Sequence, residues 1–197
     1  MSGNLDLACR CGKLRGEARG LDARDGNHVV CYCLDCQAYA HVLGRADDVL
    51  DADGGTEIFQ TWPSKLHLFE GQSHLRCLRL SPKGLHRWYA GCCKTPVANA
   101  SGNAKLPIMG ILRPFVAPTD GRTMTTVVGP ILGGFGTSHR PELAKLHGKG
   151  ETVPFALRTL RWVAKGFVKS GARGPFFDSA GRPVTTPVVV PRGTQAP

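Results

Sequence analysis

Cys31-Tyr32-Cys33-Leu34-Asp35-Cys36 places three thiols within six residues, at a point where a strand-like run gives way to a helix-like one. The run from His28 to Cys33 has the β-branched and aromatic content of a short strand. Asp35 is predicted to cap the following helix, which covers Gln37 to Leu43 and stops at Gly44. Thiols from the end of a strand and the start of a helix converge on one place. The stretch therefore predicts a zinc site around which the chain folds.

The number of ligands at this site indicates which kind of zinc it would hold. Cys31, Cys33 and Cys36 supply three soft ligands and leave a fourth coordination position open, as catalytic zinc requires. The start of a helix favours thiolates, because its free N–H groups and its dipole lower the pKa of a nearby thiol. The alternative is that the three cysteines are free thiols that hold no metal.

The composition bounds the fold and the compartment. The chain has 197 residues, of which 25 are Gly and 14 are Pro, so turns should be frequent, long helices few and the fold mainly β. This length suits one domain with an appendage. Neither a signal peptide nor an apolar run of membrane-spanning length is recognisable, which predicts a cytoplasmic protein without a membrane span. In that reducing compartment the 8 cysteines are more typical of metal ligands than of disulfides.

A second cysteine pair lies near the N-terminus. Residues 5–18 alternate, turn at Cys9-Arg10-Cys11-Gly12 and alternate again, as in a β-hairpin. Gly12 is expected at positive φ, which lets the backbone wrap around a metal. Two thiols cannot complete a tetrahedral site, so this turn needs ligands from elsewhere, and Cys92-Cys93 are the distant supply. Neighbouring cysteines can give one ligand or two to the same ion, and both options stay open.

Short β runs separated by turn residues fill the middle of the chain, which predicts an antiparallel meander. The runs cover residues 56–60, 65–70, 74–80 and 86–90, and further runs cover 96–100, 106–114 and 123–128. Cys77 lies within one run, without a thiol nearby in the sequence, and is expected to be a buried apolar residue. The acidic stretch from Asp47 to Gly55 lacks the ligand spacing of an EF-hand and is interpreted as a solvated loop.

Charge divides the chain near residue 139. Residues 1–139 carry 15 basic and 12 acidic side chains, whereas residues 140–197 carry 10 and 3. We predict a β domain at 1–139, followed at 140–197 by a basic amphipathic helix and an extended, partly disordered end. The apolar face of this helix is Val153, Ala156, Leu157, Leu160, Val163, Ala164 and Phe167, and the basic face is Arg158, Arg161, Lys165 and Lys169. We expect the apolar face to pack on the β domain; the alternative is that the helix contacts nucleic acid, a membrane surface or an acidic ligand.

Three motifs together resemble those of the glutathione-dependent formaldehyde-activating enzyme family, which also contains centromere protein V-like proteins. The motifs are Cys9-Arg10-Cys11-Gly12, Cys31-Tyr32-Cys33-Leu34-Asp35-Cys36 and Arg87-Trp88-Tyr89-Ala90-Gly91-Cys92-Cys93-Lys94-Thr95-Pro96. The resemblance spans residues 5–115 and implies a zinc-pinned, twisted antiparallel β structure of the β-tent type. It further implies a structural zinc held by the first and last motifs, and a second, more labile zinc held by the central motif and linked to activity. One or two zinc ions per chain are therefore expected.

The last motif departs from the family pattern. Where the family has Cys-x-x-Cys-Gly, the first cysteine position is Ala90 and the glycine position is Lys94. Cys92 is expected to replace the missing ligand.

The motifs support an enzyme hypothesis. The protein is predicted to be a zinc-dependent carbon–sulfur lyase that acts on thiol–aldehyde adducts, with glutathione or another small anionic thiol bound at the open zinc. The net charge of +10 suits an anionic ligand. His28, Asp35 and His41 lie near the central motif, but the sequence assigns none of them as the proton donor, so the catalytic acid or base stays unknown.

Two further hypotheses involve no catalysis. One is a zinc-stabilised β module that binds a partner, such as nucleic acid, through its basic extension. The other is a redox switch, in which oxidation of the thiolates releases zinc.

Overall fold

The computed structural model describes residues 3–117, 121–145, 152–169 and 174–191. The strands are β1 (Gly3–Ala8), β2 (Arg15–Leu21), β3 (Asn27–Cys31), β4 (Thr56–Thr61), β5 (Leu66–Glu70), β6 (Leu75–Arg79), β7 (His86–Ala90), β8 (Thr95–Ala100), β9 (Met109–Leu112), β10 (Gly134–Phe135) and β11 (Val188–Val189). The α-helices are α1 (Leu34–Val42), α2 (Ala46–Val49), α3 (Met124–Val128) and α4 (Val153–Lys169). The prediction of a mainly β fold is confirmed.

The described strands form two sheets. The smaller sheet has the order β1-β2-β5, and the larger has the order β10-β3-β4-β9-β8-β7-β6-β11. Neighbouring strands are antiparallel except in the two outermost pairs of the larger sheet, β10 with β3 and β11 with β6. The meander predicted for residues 56–90 is correct for β6 with β7, and β8 and β9 continue the sheet as further antiparallel neighbours. It is wrong for β4, which pairs with β3 and β9, and for β5, which joins the smaller sheet.

The N-terminal hairpin and the central motif have their predicted local structure. β1 and β2 pair as a hairpin, whose turn is closed by a hydrogen bond from the Cys9 amide to Leu14 O at 2.9 Å. Gly12 has a φ of 75°, as expected. β3 and α1 flank the central motif, and Gly44, with a φ of 64°, follows the last turn of the helix. Both cysteine motifs therefore lie where regular elements that short-range patterns predict end or begin.

The main core cluster joins side chains from both sheets and includes Trp88 of β7, which is fully buried. Phe176 stacks on Trp88 with ring centroids 4.7 Å apart, and Phe177 stacks on His86. The prediction of a partly disordered end is wrong for residues 174–191, because these two aromatic side chains anchor the segment and β11 extends the larger sheet. The division into two domains at residue 139 stays a prediction.

Two segments differ from their predicted local structure. Residues 123–128, predicted as a β run, contain α3. The Thr123 side chain accepts from the Thr126 amide, and the Thr126 side chain accepts from the Thr123 amide. This capping box outweighs the β propensity of the Thr and Val residues. The acidic stretch at 47–55 is a loop only beyond Val49, because α2 occupies its beginning.

α4 forms where the apolar periodicity predicts a helix, but it packs through a different face. Trp162 and Gly166 are buried, and the Arg158 guanidinium donates to Asn27 Oδ1 and Gly26 O, both at 2.9 Å. The expectation that the apolar face covers the β domain is wrong. The surface that receives α4 offers hydrogen-bond acceptors, which an arginine satisfies and an aliphatic face cannot.

Parts of the predicted basic extension lie outside the described residues, namely 146–151, 170–173, 192–197 and the side chains of Ala144, Lys145 and Lys169. Within the described part of the chain, no helix has both the length and the apolar character needed to cross a membrane.

Candidate metal sites

The seven predicted ligands form two groups in the folded chain. One group consists of Cys9, Cys11, Cys92 and Cys93, and the other of Cys31, Cys33 and Cys36. Within each group the sulfur atoms lie within 4.8 Å of one another, so each group could hold a metal ion. Cys77 is buried outside both groups, as expected for an apolar residue. All eight cysteines are free thiols.

The four-cysteine group has the dimensions of a tetrahedral metal site. The Cys92 Sγ atom lies 3.7 Å from Cys9 Sγ and 3.3 Å from Cys11 Sγ, and those two are 3.6 Å apart. Cys93 Sγ lies 3.9 Å from Cys92 Sγ. Four thiolates at a Zn–S distance of about 2.3 Å would be separated by about 3.8 Å, so this group fits zinc with every position filled. Both neighbouring cysteines belong to the group, which the sequence left open.

A strained turn after β7 brings Cys92 and Cys93 to the hairpin. The Lys94 amide donates to Ala90 O at 2.8 Å. Lys94 has a φ of 57°, and among the described residues it is the one non-glycine residue at positive φ. This left-handed conformation is the one that glycine adopts without cost. A lysine there costs about 1 kcal/mol and persists because the surrounding turn determines the backbone.

The surroundings of the four-cysteine group shift the pKa values of Cys9 and Cys93 in opposite directions. Burial raises the pKa of Cys9. Burial also raises the pKa of Cys93, but hydrogen bonding, which includes a contact with Thr95 Oγ1 at 3.1 Å, lowers it overall to about 6. The Arg10 amide donates to the same Thr95 oxygen at 3.0 Å and so ties the hairpin to β8. Negative charge in this group therefore concentrates first on Cys93.

The three-cysteine group lies where β3 ends and α1 begins. The Sγ atoms of Cys31 and Cys33 are 3.3 Å apart, and Cys36 lies in the first turn of the helix. The cap of α1 is Cys33, whose Sγ atom accepts from the Cys36 amide at 3.4 Å. The prediction of Asp35 as the cap is wrong, because a thiol sulfur satisfies the free N–H groups and the helix already begins at Leu34. One cysteine therefore serves both as helix cap and as candidate ligand.

Negative charge is distributed unequally among the three thiols. Hydrogen bonds from Cys31 and Cys36 lower the pKa of Cys33 to about 2. The pKa of Cys31 is far above the ordinary value for a thiol, because Cys31 donates a hydrogen bond to Cys33. A cation bound among the three sulfurs would relieve the repulsion that keeps the other thiols protonated.

A buried arginine faces the three-cysteine group. Arg87 of β7 is 2 % exposed, and its Nη1 atom lies 3.8 Å from Cys36 Sγ and 3.2 Å from Asn99 Oδ1. Its Nη2 atom lies 3.8 Å from an Asp35 carboxylate oxygen, and the guanidinium stands 5.2 Å from the ring centroid of Tyr39. A buried guanidinium needs negative partners, and the cysteine group and Asp35 supply them. The group is thus built to hold negative charge.

A cavity of about 280 Å³ opens onto this group. All three cysteines, Asp35, Arg87 and Asn99 line it. The remaining wall is largely apolar and includes Val29, Ile58, Leu85, Ile108, Met109 and Phe135. The size suits one end of a small molecule, with a few polar groups in an apolar wall, as in many ligand sites. A fourth metal ligand could enter from this cavity.

Only one of the three residues considered as proton donors lines the cavity, and it is Asp35. His28 is buried elsewhere, with Nδ1 2.8 Å from Gly129 O and Nε2 2.9 Å from Glu57 Oε1. His41 lies on the exposed face of α1. Of the three candidates, Asp35 is therefore the one at this site.

Comparison with known proteins identifies the family of this chain. A family model described as "Family of unknown function (DUF6151)" matches residues 1–187. The chain belongs to the DUF6151 family. A search of curated proteins finds no match. The DUF6151 match extends over both cysteine groups, α4 and the aromatic anchor at Phe176, so all of them lie in one family region.

The sequence alone indicated every cysteine of the two groups but did not indicate that Arg87 belongs to the three-cysteine site. A signal was present, since Arg87 is a charged residue between apolar and aromatic neighbours in a five-residue strand that is buried throughout. Gly136 was also missed. It lies in a glycine-rich connection, residues 133–136, and no local pattern in the sequence places that connection against the cysteines.

Proposed function

We propose that this DUF6151 protein binds zinc at both cysteine groups and uses the three-cysteine group to bind a small anionic thiol. The observation that carries the proposal is that three thiols and a buried guanidinium line one cavity. Thiolate donors suit zinc, a four-thiolate set makes a closed structural site, and a three-thiolate set leaves a position for a ligand. The zinc-pinned, β-tent-like character of the fold is part of the same proposal.

In this proposal, zinc and the residues that line the cavity have separate roles. Zinc, when bound, lowers the pKa of a thiol ligand and holds it as a thiolate. Arg87 offsets the negative charge of the three cysteines and attracts an anionic ligand, while Asn99 orients the guanidinium. The apolar wall excludes water, which strengthens these electrostatic interactions.

The resemblance to glutathione-dependent formaldehyde-activating enzymes extends the proposal to a carbon–sulfur lyase that acts on thiol–aldehyde adducts. In the lyase direction the C–S bond of the adduct breaks, the sulfur leaves as a thiolate, the carbonyl forms and the hydroxyl proton is released. Asp35 lines the cavity and is placed to accept that proton. Glutathione is the first thiol to test, because it is small and anionic.

Calorimetry of glutathione binding in two buffers of different ionisation enthalpy tests the proposal. Purified protein should contain between about one and two zinc ions per chain, and glutathione binding should release about one proton, because a metal-bound thiol is deprotonated. Cys33→Ser should abolish this binding. The control is Cys77→Ala, which removes a buried thiol outside both groups and should leave glutathione binding intact.

Three results would count against the proposal. The first is stoichiometric iron in place of zinc, and the second is protein without metal in which all eight thiols titrate freely. The third is a zinc-loaded parent that binds no glutathione. That result would favour the zinc-stabilised binding module over the enzyme.

A further inference from the structure

α4 presents a row of large apolar side chains to solvent. Val153, Leu157, Leu160 and Phe167 are 73, 55, 65 and 57 % exposed, and Val168 is 86 % exposed. We call these five residues the apolar ridge. Their spacing places them on one side of the helix over about four turns, or about 22 Å. A continuous exposed apolar row of this length is typical of a surface that meets a partner.

The fold prevents the apolar ridge from turning inward. On the opposite side of α4 Trp162 is buried, and its carbonyl oxygen accepts a hydrogen bond from Trp62 Nε1 at 3.2 Å. Gly166 lies so close to the body that a Cβ atom there would be 2.7 Å from Trp62 Nε1 and 2.8 Å from Pro107. Together with the Arg158 hydrogen bonds, these contacts fix the rotation of the helix. The apolar ridge is therefore held outward.

A basic groove of about 520 Å³ runs along one flank of the apolar ridge. Arg24, Arg158, Arg161 and Lys165 line it, and Leu157 belongs to both the groove and the ridge. Two carboxylates stand nearby: Asp25 lies 3.7 Å from Lys165 Nζ, and Asp22 pairs with Arg24 at 2.8 Å. Four cations thus face two carboxylates, and α4 itself contains four basic and no acidic residues. The flank remains positively charged.

An occupant of this surface must supply an apolar layer bordered by negative charge. A second copy of the chain would bring cation against cation, since each chain carries a net charge of +10. Nucleic acid would suit the basic groove but would leave the apolar ridge in water. A bilayer that contains anionic phospholipid supplies both chemistries, with phosphates at the level of the cations and acyl chains beneath.

We propose that α4 binds the surface of an anionic phospholipid bilayer. The apolar ridge enters the boundary between headgroups and acyl chains, and Arg161 and Lys165 contact the phosphates. The helix lies in the plane of the surface, because its other side is fastened to the protein body. This inference is independent of the proposed chemistry at the cysteine groups.

Flotation with vesicles tests the proposal on the full-length protein as purified. The parent should float with phosphatidylcholine vesicles that contain roughly one quarter phosphatidylglycerol, much less with pure phosphatidylcholine, and less as salt rises. Leu160→Glu should lower the partition coefficient at least about tenfold, because it places a charge in the apolar ridge. Its matched control is Phe69→Glu, which changes a side chain of similar exposure, 62 %, on β5.

The contribution of the basic side chains to vesicle binding is tested with a second pair of variants. The double variant Arg161→Gln with Lys165→Gln should bind anionic vesicles about tenfold or more weakly, because each basic residue near the surface adds to the attraction. Lys13→Gln with Lys83→Gln removes the same net charge from exposed positions away from α4 and should leave binding nearly unchanged. Zinc content and melting temperature equal to those of the parent would show that each variant is folded.

Five results would overturn the proposal. A parent that does not float with anionic vesicles, or one that floats equally with neutral vesicles, would show that α4 is not an anionic membrane site. Flotation that Leu160→Glu leaves unchanged would place the contact elsewhere. A parent dimer in sedimentation velocity that Leu160→Glu converts to monomer would assign the apolar ridge to a second copy. Tight duplex binding that requires Arg161 and Lys165, without vesicle binding, would assign the basic groove to nucleic acid.

Discussion

Gly136 lies against Cys33 with no space for a side chain. A Cβ atom on Gly136 would be 2.6 Å from Cys33 Cβ and 2.7 Å from Cys33 N, and Gly136 has a φ of 67°. The neighbouring strand β10 pairs in parallel with β3, and the Tyr32 amide donates to Phe135 O at 2.8 Å. The three-cysteine group is therefore supported by a segment about a hundred residues further along the chain.

The first prediction follows from that contact. Gly136→Ala should lower the free energy of unfolding by about 1 kcal/mol for the positive φ and by a further 1–3 kcal/mol, roughly, for the overlap with Cys33. It should also weaken zinc binding at the three-cysteine group. Urea unfolding and zinc analysis would measure both effects. Gly121→Ala is the matched control, since Gly121 has a φ of 69° but nothing within 4 Å of a Cβ atom. Equal losses in the two variants would contradict the packing argument.

The second prediction compares the two cysteine groups. Cys11→Ser should leave the protein insoluble or several kcal/mol less stable, because a metal shared with Cys92 joins the hairpin to a turn about eighty residues away. Cys33→Ser should cost less, since a metal held by the three cysteines would join only the end of β3 to the start of α1. Thermal melts with zinc analysis would rank the two. If Cys11→Ser melts like the parent, the four-cysteine group does not hold the fold together.

The third prediction concerns Arg87. Arg87→Met should lower glutathione affinity about tenfold or more, because the negative charge of the cysteine group then lacks its buried counter-charge. Arg87→Lys keeps the charge but not the fork-shaped donor set, and should fall between Met and the parent. Calorimetry on zinc-matched samples would measure the affinities. Arg76→Met on the adjacent strand β6 serves as the control, and a similar loss there would point to general charge instead of this contact.

The fourth prediction concerns pH. His86 is fully buried, and neither ring nitrogen has a hydrogen-bond partner among the described residues. Burial, with a smaller contribution from Arg79, lowers its pKa from 6.5 to about 4. The unfolded chain therefore binds a proton more readily than the folded one between these values. The free energy of unfolding therefore has its full value with respect to His86 above about pH 6.5. It falls by up to about 3 kcal/mol as the pH drops toward 4.

His86→Phe tests this dependence, because phenylalanine keeps the stacking on Phe177 and does not titrate. Unfolding free energies of parent and variant between pH 8 and pH 4 should diverge as the pH falls, with the variant the more stable. Zinc release in acid affects both proteins alike and cancels in the difference. Parallel curves would mean that His86 does not bind a proton on unfolding in this range.

Local patterns in the sequence were sufficient for the elements that carry the cysteines. Alternation and Gly12 predict the hairpin, and the central motif predicts a strand that ends beside a helix. Ligands two or three residues apart at a strand end or helix start are close in any fold that contains those elements. The capping residue of α1 could not be predicted as well, because the side chains of Cys33 and Asp35 can both accept a hydrogen bond from a helix N–H group. Only the observed start of α1 distinguishes them.

By itself the sequence determined which residues could bind metal, the hairpin and strand-to-helix turn that present them, and the existence of an amphipathic helix at α4. Only the tertiary structure decided that Cys92 and Cys93 both join the hairpin, that Arg87 faces Cys36, and that α4 turns its apolar ridge outward. The physical reason is range. Periodicity and capping act within one element, whereas the partner of a thiol, a guanidinium or a helix face is set by surfaces that distant segments build together.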